Sequence, residues 1–439
     1  MKKVAILGAG FVTKPLVDYL IDRCNYNVII ATRTKEKADA IIAGRSLGRS
    51  MQWTADQQDV LDRLVQEVDL VISMIPPTMH IPVAQACLRH KKPLVTTSYI
   101  SPEMQELDDE ARERDVLLLN ELGEDPGLDH MGAKQMIDDV DREGGSVTSL
   151  ISYGAGLPSF EHNRNPFGYK FSWSPRGVML AAQTAAGYLR DGEVIDVPAE
   201  DLFSHHWLVD IDDVGTFETY PNRDSVHYAP SFGLEEARSL YRGLLRFPGW
   251  CNTMKSLVAL NMLDGTEIRD FSQKSYLQFT SQLAGRSNGT VEDVAAFLDQ
   301  EANSDVMNRL RWLGLFEGTP VAVKRGANVD VLVDLMLKKK SYAPGEKDMI
   351  LVHDEIITEF DNKKERRLST LLVEGIPYGD SAMSRAVSLP AAISARRIME
   401  GELKLTGVRM PTLPEIYRPI LDELDSEFDF RFRHKTIQL

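Results

Sequence analysis

The sequence predicts an α/β protein whose N-terminal part is a Rossmann-type, doubly wound parallel sheet. Three observations lead to this prediction. Short apolar runs alternate with amphipathic, helix-like stretches over residues 1–125. Several of these runs are continuous, which is typical of parallel strands buried on both faces. The first run, residues 4–7, leads directly into a glycine-rich turn that is typical of a nucleotide-binding βα unit.

Each element of the predicted sheet can be located from its pattern. The predicted strands lie at residues 4–7, 27–31, 70–75, 93–97 and 116–120, and the predicted helices lie at 11–23, 35–43, 55–67, 78–90 and 101–114. Ser101 and Pro102 open the last of these helices, because serine caps a helix and proline fits its first position. The alternation of strand and helix specifies a doubly wound sheet.

The pattern changes after Gly127. Short strand-like runs, glycine, proline and aromatic residues follow. From about residue 234 the sequence pattern predicts helices, beginning with GLEEARSLYRGLLRF (233–247). A hairpin is predicted at 348–360 and 365–375, and a helix at 381–400. We therefore expect a nucleotide-binding Rossmann domain at 1–127 with 381–425 packing back on it, a mixed α/β domain for substrate binding and dimerisation at 128–233 and 341–380, and an inserted helical subdomain at 234–340.

Composition excludes several classes of function. The chain of 439 residues carries a net charge of −15, which argues against nucleic acid and acidic membranes as partners. No transmembrane or targeting segment is predicted, because the apolar start of the chain ends at Gly8 and Gly10 without a cleavage site. The cysteines, Cys24, Cys87 and Cys251, lack the spacing of a zinc site or a disulfide framework. We expect reduced thiols in a cytoplasmic protein.

The glycine-rich turn is the candidate phosphate-binding site. Gly8 permits the tight turn, and Gly10 lets the backbone approach a pyrophosphate at the start of the helix. The third position of the fingerprint is Thr13 rather than glycine or alanine, so the motif alone is weak. A glycine turn in another kind of α/β protein is the alternative, and the βα units that follow favour a dinucleotide.

The end of the second strand indicates which dinucleotide binds. NAD enzymes place a carboxylate there for the ribose diol, whereas this strand ends in Ala31-Thr32-Arg33-Thr34. The planar guanidinium of Arg33 can pair with a 2′-phosphate. NADP is therefore the predicted cofactor, and a solvated basic loop is the alternative.

Further blocks of the sequence resemble one known family. They are GAGFVTKP (8–15), ATRT (31–34), TTSYISPEM (96–104), NELGEDPGLDHM (120–131), NPFGYKFSWSPRGV (165–178), YPNRDS (220–225) and TLPEIYRPIL (412–421). In order and over nearly the whole chain, they resemble the NADP-dependent, L-glutamate-forming saccharopine dehydrogenases, also called saccharopine reductases. The resemblance implies an oxidoreductase of lysine metabolism that acts on a CH–NH group.

The implied reaction is a reversible oxidative deamination. Saccharopine is a secondary amine that joins glutamate to the six-carbon chain of aminoadipate semialdehyde. NADP takes a hydride from the carbon on the aminoadipate side, and water hydrolyses the resulting imine to glutamate and the semialdehyde. The expected partner is thus a small molecule with several carboxylates, and we expect a homodimer.

Three candidate residues follow predicted parallel strands directly. Ser98, Tyr99 and Asp125 should therefore lie at the carboxyl edge of the sheet, where ligands bind in such folds. The resemblance implies that Tyr99 and Asp125 are catalytic and contact the substrate, and that Ser98 and Asp125 contact both substrate and cofactor. Structural roles are the alternative, since Asp-Pro-Gly is also a common turn sequence.

Two arginines match family residues that hold substrate carboxylates. Arg223 and Arg246 carry the planar group that binds a carboxylate through two hydrogen bonds, and a structural salt bridge is the alternative for each. The resemblance adds Gly154 and Leu245 to the substrate-binding residues. It also implies further cofactor-binding residues, namely Phe11, Val12, Thr34, Leu122, Trp173 and Ser174, with a core role as the alternative for Trp173.

Three positions depart from the family's usual residues. Gly154 stands where cysteine is common, Leu244 where threonine is usual, and Glu124 where leucine is usual. They leave room for a different substrate, so a carboxyspermidine or carboxynorspermidine dehydrogenase, which reduces a related imine, is one alternative. A non-catalytic NADP-binding sensor is another. Arg223 and Arg246 together favour saccharopine over substrates with fewer carboxylates.

No metal site is expected. His80, His130, His205 and His206 match no ligand motif. A hydride-transferring cofactor also needs no metal.

Overall fold

The computed structural model describes residues 1–439. The chain forms two compact units, Met1–Val147 with Met349–Leu439, and Thr148–Asp348. The strands are β1 (Lys3–Leu7), β2 (Asn27–Thr32), β3 (Gly48–Gln52), β4 (Leu70–Ser73), β5 (Leu94–Thr96), β6 (Leu117–Leu119), β7 (Ser146–Pro158), β8 (Ala186–Arg190), β9 (Glu193–Val197), β10 (Trp207–Ile211), β11 (Gly215–Pro221), β12 (Ser239–Arg246), β13 (Arg269–Asp270), β14 (Arg325–Gly326), β15 (Asp348–Phe360), β16 (Lys363–Glu374), β17 (Gly407–Arg409) and β18 (Arg433–Gln438).

The helices follow the same order along the chain. They are α1 (Lys14–Asp18), α2 (Lys35–Ile42), α3 (Gln58–Glu67), α4 (His80–His90), α5 (Pro102–Gln105), α6 (Asp108–Glu113), α7 (Leu128–Arg142), α8 (Pro175–Ala181), α9 (Ala229–Phe232), α10 (Trp250–Ala259), α11 (Tyr276–Leu283), α12 (Val291–Phe297), α13 (Asp305–Leu313), α14 (Asn328–Lys340), α15 (Ala382–Glu400) and α16 (Pro414–Phe428). A π-helical turn, Tyr19–Arg23, continues α1. None of the helices combines the length and the apolar character that a membrane-spanning segment needs.

Seven parallel strands form the main sheet of the first unit. Their order is β17-β6-β5-β4-β1-β2-β3. Apart from β17, this is the strand order of a dinucleotide-binding sheet. The side chains of residues 4–7 are fully buried in β1, which pairs with β2 and β4. The predicted Rossmann-type sheet is confirmed.

Two strands of this sheet carry no sequence signal. β3 reads Gly-Arg-Ser-Met-Gln, and it pairs with β2 at the edge of the sheet, where no apolar run is needed. β17 has three residues, and its position beside β6 depends on chain that lies far away in sequence.

The helix predicted at 381–400 and the hairpin predicted before it are both present. Ser381 caps α15 by accepting a hydrogen bond from the N–H of Ser384, and Gly401 ends the helix in the left-handed conformation. This helix contacts α1, β4 and β5. β15 and β16 form the predicted hairpin, and β18 extends it on the β16 side.

The second unit combines a mixed sheet with helices. Its strands pair in the order β10-β11-β12-β7, and β8 and β9 attach through β12. β12 runs parallel to β7 and antiparallel to β11. The helical character predicted for residues 234–340 is confirmed in α12, α13 and α14.

The predicted helix at the start of this region is wrong. Residues 239–246 form β12, a strand with a partner on each side. Leu240, Tyr241, Leu244 and Leu245 have a spacing that suits a helix face. However, the strand is largely buried on both faces, so the alternation that would reveal a strand is missing. The three-part division into 1–127, 128–233 with 341–380, and 234–340 stays a prediction.

Candidate functional site

The turn after β1 is built by two glycines and a threonine. Gly8 has φ +106°, and a Cβ atom there would lie 2.9 Å from the carbonyl oxygen of Met74. A Cβ atom on Gly10 would meet no atom within 4 Å. The protein's own packing therefore does not require glycine at this position, whereas the close approach of a cofactor phosphate would. The turn thus fits a dinucleotide.

Thr13 has a local role that the sequence did not reveal. Its side chain is fully buried, and its Oγ1 accepts a hydrogen bond of 3.0 Å from the N–H of Gly10. The threonine thus closes the turn in place of the small residue that the fingerprint usually has. Phe11 is 64% exposed, and the carbonyl of Val12 accepts a hydrogen bond from Ser388 on α15.

Arg33 follows β2 and is exposed. It makes no hydrogen bond or ion pair with another residue of the chain, whereas its neighbour Lys35 pairs with Asp39 at 2.9 Å. Thr34, beside it, is half-buried at the N-cap of α2. The end of β2 therefore presents a guanidinium that is not committed to the protein.

Ser98 lies in the loop after β5, and three of its polar groups have partners elsewhere in the first unit. Its N–H donates to Thr96 Oγ1 at 3.3 Å, and its carbonyl accepts from the N–H of Glu121 at 3.1 Å. Its Oγ lies 2.9 Å from Nε2 of His80. Ser98 itself is half-buried. The residue is thus fixed at the carboxyl end of the sheet, as expected from its place after a strand.

Tyr99 and Asp125 are brought together directly. The hydroxyl of Tyr99 donates a hydrogen bond of 2.5 Å to Oδ1 of Asp125, and both residues are half-buried. The pair therefore forms a compact polar group next to Ser98.

The loop that carries Asp125 rests on buried polar residues. Oε1 of Glu121 accepts from the N–H of Ile100 at 2.9 Å, and its Oε2 lies 2.9 Å from Nε2 of His130. Glu121 and His130 are each about 1% exposed. These two residues lie nine positions apart in the sequence, and no sequence motif predicts that they are in contact. Leu122, the neighbouring residue, is fully buried, and its N–H donates to the carbonyl of Thr96 at 3.2 Å.

Arg246 lies in an aromatic environment in the second unit. It is 6% exposed, and its guanidinium carbon lies 5.3 Å from the ring centre of Tyr169 and 5.5 Å from that of Trp250. Its Nη1 donates to the carbonyl of Leu245 at 2.7 Å. The side chain of Leu245 is itself fully buried. These contacts hold the guanidinium plane in one orientation.

Arg223 is placed differently. It is exposed, has a φ of +57°, and its carbonyl accepts a hydrogen bond of 3.0 Å from the N–H of Gly187. Asp224, next to it, accepts from the N–H of Val226 at 2.9 Å. The backbone of this turn is therefore fixed on both sides of the arginine.

Two of the departures from the family pattern are neighbours in space. Gly154 on β7 is directly opposite Leu244 on β12 in the parallel register. The residue without a side chain thus faces one that is larger than the usual threonine. A substitution at either position would therefore change the packing beside the other.

Trp173 and Ser174 directly precede α8. The hydroxyl of Ser174 caps this helix by accepting a hydrogen bond of 3.2 Å from the N–H of Gly177. Trp173 is half-buried, and its ring lies close enough to Gly177 that a Cβ atom there would be 3.1 Å away. Both residues therefore have a local structural role, whatever else they contact.

Lys340 lies in the same aromatic environment as Arg246. Its side chain is fully buried, and Nζ has no hydrogen-bond partner. The rings of Phe167 and Trp250 lie 4.3 and 4.9 Å away. Burial, and then the positive charge of Arg246, lower the pKa of the Lys340 amine well below its usual value of 10.5. No group of three or more His, Cys, Asp or Glu residues is placed to hold a metal ion.

Family models match consecutive parts of the chain. The saccharopine dehydrogenase NADP-binding domain matches residues 4–119, and the saccharopine dehydrogenase C-terminal domain matches residues 123–429. The chain belongs to the saccharopine dehydrogenase family. The predicted family is confirmed, and so is NADP as the cofactor for which its N-terminal domain is named.

Individual saccharopine dehydrogenases resemble the chain over its whole length. The saccharopine dehydrogenase [NADP(+), L-glutamate-forming] of Saccharomyces cerevisiae is 35% identical over 445 residues, 99% of either chain. The protein of the same name from Schizosaccharomyces pombe is 33% identical over 439 residues, 97% of either chain. The bovine mitochondrial alpha-aminoadipic semialdehyde synthase is 33% identical over 447 residues, which are 48% of its length.

A solved structure shares the fold. The apo histidine-tagged saccharopine dehydrogenase (L-Glu forming) from Saccharomyces cerevisiae superposes with a TM-score of 0.88 at 34% identity, and all of both chains is covered. This agreement confirms the predicted combination of a Rossmann-type sheet with a second α/β domain.

Proposed function

We propose that this protein is an NADP-dependent saccharopine dehydrogenase of the L-glutamate-forming kind. The observation that carries the proposal is its similarity, from end to end, to proteins of that name. Saccharopine loses a hydride from the carbon on the aminoadipate side of its nitrogen, and water then hydrolyses the imine to glutamate and aminoadipate semialdehyde. Bound NADP supplies the hydride acceptor.

The cofactor's phosphates are assigned to the first unit. Gly10 leaves its Cβ side open beside the turn, and Arg33 presents an exposed guanidinium at the end of β2. We propose that Gly8 and Gly10 admit the pyrophosphate, while Arg33 binds the 2′-phosphate through its planar group. Phe11, Val12, Thr34, Leu122, Trp173 and Ser174 are proposed to complete the cofactor-binding residues.

The polar group around Tyr99 is assigned to the reacting nitrogen. Hydride leaves the carbon only when the nitrogen lone pair can form the new double bond, so the ammonium group must first lose its proton. Asp125 would attract the ammonium form electrostatically, and its hydrogen bond with Tyr99 holds the carboxylate in place. We propose that Asp125 is mainly an anchor, that Tyr99 orients the reacting carbon, and that Ser98 contacts both ligands.

The substrate's carboxylates are assigned to arginines. The guanidinium of Arg246 is held between aromatic rings, and Arg223 is exposed on a fixed turn. Both are proposed to bind carboxylates through paired hydrogen bonds. Gly154 and Leu245 are proposed to shape the substrate's surroundings.

A related imine is the second candidate substrate, because Gly154 and Leu244 depart together from the family pattern and face each other. Initial rates with NADP should be compared for saccharopine and for carboxyspermidine or carboxynorspermidine. We expect saccharopine to have the higher kcat/KM. Turnover of a carboxypolyamine alone would assign the second function, and cofactor binding without any turnover would indicate a sensor.

We also propose that the protein is a homodimer in the cytoplasm. Cys24, Cys87 and Cys251 are free thiols, and burial raises the pKa of each, which suits reduced, unreactive cysteines. Light scattering should give about twice the chain mass of 49.3 kDa. A mass of one chain at working concentration would contradict the dimer.

A further inference from the structure

His80 occupies a place where two strand ends and the Ser98 loop meet. It is the first residue of α4, and its side chain is 4% exposed. Nδ1 lies 2.9 Å from Oγ of Ser73, at the end of β4. Nε2 lies 2.9 Å from Oγ of Ser98 and 3.2 Å from Oγ1 of Thr96, which ends β5. Ser73 and Thr96 are partners in the register of these two strands.

The imidazole therefore joins a buried hydroxyl on one side to a half-exposed one on the other. Ser73 and Thr96 are fully buried, whereas Ser98 is half-buried at the carboxyl edge of the sheet. A histidine that served only to fill the core would not need to bond a partly exposed hydroxyl in a ligand-binding loop. Burial lowers the pKa of the His80 imidazole to about 4, so the ring is neutral near pH 7.

A neutral imidazole has one N–H group and one lone pair. Nε2 lies nearer to the Ser98 hydroxyl, at 2.9 Å, than to that of Thr96, at 3.2 Å. If Nε2 carries the proton, it therefore donates to the Ser98 oxygen, and the hydroxyl hydrogen of Ser98 is directed elsewhere. If Nδ1 carries the proton, the Ser98 hydroxyl donates to Nε2, and its lone pairs are directed elsewhere. In either tautomer the imidazole decides what the Ser98 hydroxyl can offer to a ligand.

We propose that His80 is a positioning residue that orients the hydroxyl of Ser98 toward the bound ligands. The backbone groups of Ser98 are already held by Thr96 and Glu121, so the hydroxyl direction is the remaining freedom, and His80 removes it. The proposal rests on the proposed function in one respect, namely that Ser98 contacts substrate and cofactor. His80 itself acts through Ser98.

Two substitutions separate the two sides of the ring. In His80→Gln, the amide reaches about as far as Nε2 and can keep the contact with Ser98. In His80→Asn, the amide reaches only as far as Nδ1 and keeps the contact with Ser73. We expect His80→Asn to lower kcat/KM about tenfold or more, the usual effect of losing one positioned hydrogen bond, and His80→Gln to stay within about threefold of wild type.

A double-mutant cycle with Ser98→Ala is the decisive experiment. If His80 acts through the Ser98 hydroxyl, His80→Asn should have little further effect once that hydroxyl is removed. His90→Gln, at the other end of α4, is the matched control and should leave the kinetic constants unchanged. If His80→Asn lowers kcat/KM by the same factor in the wild type and in Ser98→Ala, the proposal is overturned.

The cycle is also run on the affinity for NADPH, because Ser98 is proposed to contact the cofactor. Failure of saccharopine turnover would thus contradict the proposed function without removing this test. If His80→Asn folds poorly, nitrogen NMR of the His80 ring in the wild type and in Ser98→Ala gives the answer. A neutral ring in one tautomer that changes on Ser98→Ala supports the proposal, and a ring that does not respond to Ser98→Ala overturns it.

Discussion

Replacing Lys340 with methionine should change how the protein's stability depends on pH. The amine is fully buried among four aromatic rings, has no hydrogen-bond partner, and lies near the charge of Arg246. Burial is the larger cause of its lowered pKa, and Arg246 adds to it. Attraction between the amine and the rings of Phe167 and Trp250 favours the charged form and opposes part of this shift.

The sign of the effect follows from proton counting. The unfolded chain binds a proton on Lys340 up to a pKa near 10.5, whereas the native chain releases it at a lower pH. Between these two pKa values the unfolded state binds one more proton, so the free energy of unfolding rises with pH. The slope for one whole proton is about 1.4 kcal/mol per pH unit. Methionine has no proton to bind, so Lys340→Met should lose this slope.

Methionine should also fit the site. It is unbranched and of similar length, and its sulfur makes favourable contacts with aromatic rings. Lys340→Met should therefore be at least as stable as wild type at pH 7. Because the free energy of unfolding of the wild type rises with pH, the advantage of Lys340→Met should shrink by up to about 1.4 kcal/mol per pH unit toward pH 9. Lys340→Ala should be less stable than Lys340→Met by roughly 2–5 kcal/mol, because it leaves a cavity.

Urea denaturation at several pH values measures these differences. Lys338→Met is the control, because Lys338 lies two residues earlier on α14 and pairs with Asp334 at the surface. The hydrogen bond to Asp334 raises the pKa of Lys338 above its usual value of 10.5. The stability that this ion pair contributes is therefore lost only as the pH rises through that raised pKa, and the free energy of unfolding should not change with pH between 7 and 9 on its account. Parallel pH curves for wild type and Lys340→Met would refute the reasoning and show that native Lys340 keeps its proton.

Three further predictions concern ligand binding. We expect the wild type to bind NADP about ten- to hundredfold more tightly than NAD, and Arg33→Asp should abolish or reverse this preference. Equal use of both cofactors by the wild type would contradict the role of Arg33. Asp125→Asn should raise the KM for saccharopine more than it lowers kcat, and Tyr99→Phe should act in the same direction. A thousandfold loss of kcat with unchanged KM, and loss of the basic limb of the pH profile, would make Asp125 the general base instead. Arg223→Ala should weaken saccharopine binding and leave the NADP Kd nearly unchanged, and an unchanged KM would leave Arg223 a structural role.

The parallel sheet could be predicted because its signal is local. Continuous apolar runs such as residues 4–7 and 116–120 carry the strand assignment within themselves. The helix predicted over β12 is wrong for the same physical reason that makes β12 a central strand. Its residues are buried on both faces, so its apolar spacing fits a helix as well as a strand.

The polar site was only partly predictable. Ser98, Tyr99 and Asp125 could be named because each follows a parallel strand, and strand ends meet at one edge of a sheet. The contact between Glu121 and His130 and the bridge from Ser73 through His80 to Ser98 depend on distances across the fold. Lys340 closes a run of three lysines, and only the aromatic rings brought to it by distant segments explain its burial.

The products formed from saccharopine distinguish the proposed reaction from its alternatives. The purified protein is incubated with saccharopine and NADP, and the products are identified by mass spectrometry while reduced nicotinamide is followed by absorbance. We expect glutamate and aminoadipate semialdehyde, with one NADPH formed for each glutamate. Lysine and 2-oxoglutarate as products would show cleavage on the other side of the nitrogen and contradict the proposed function, as would NADPH formation that requires a different amine.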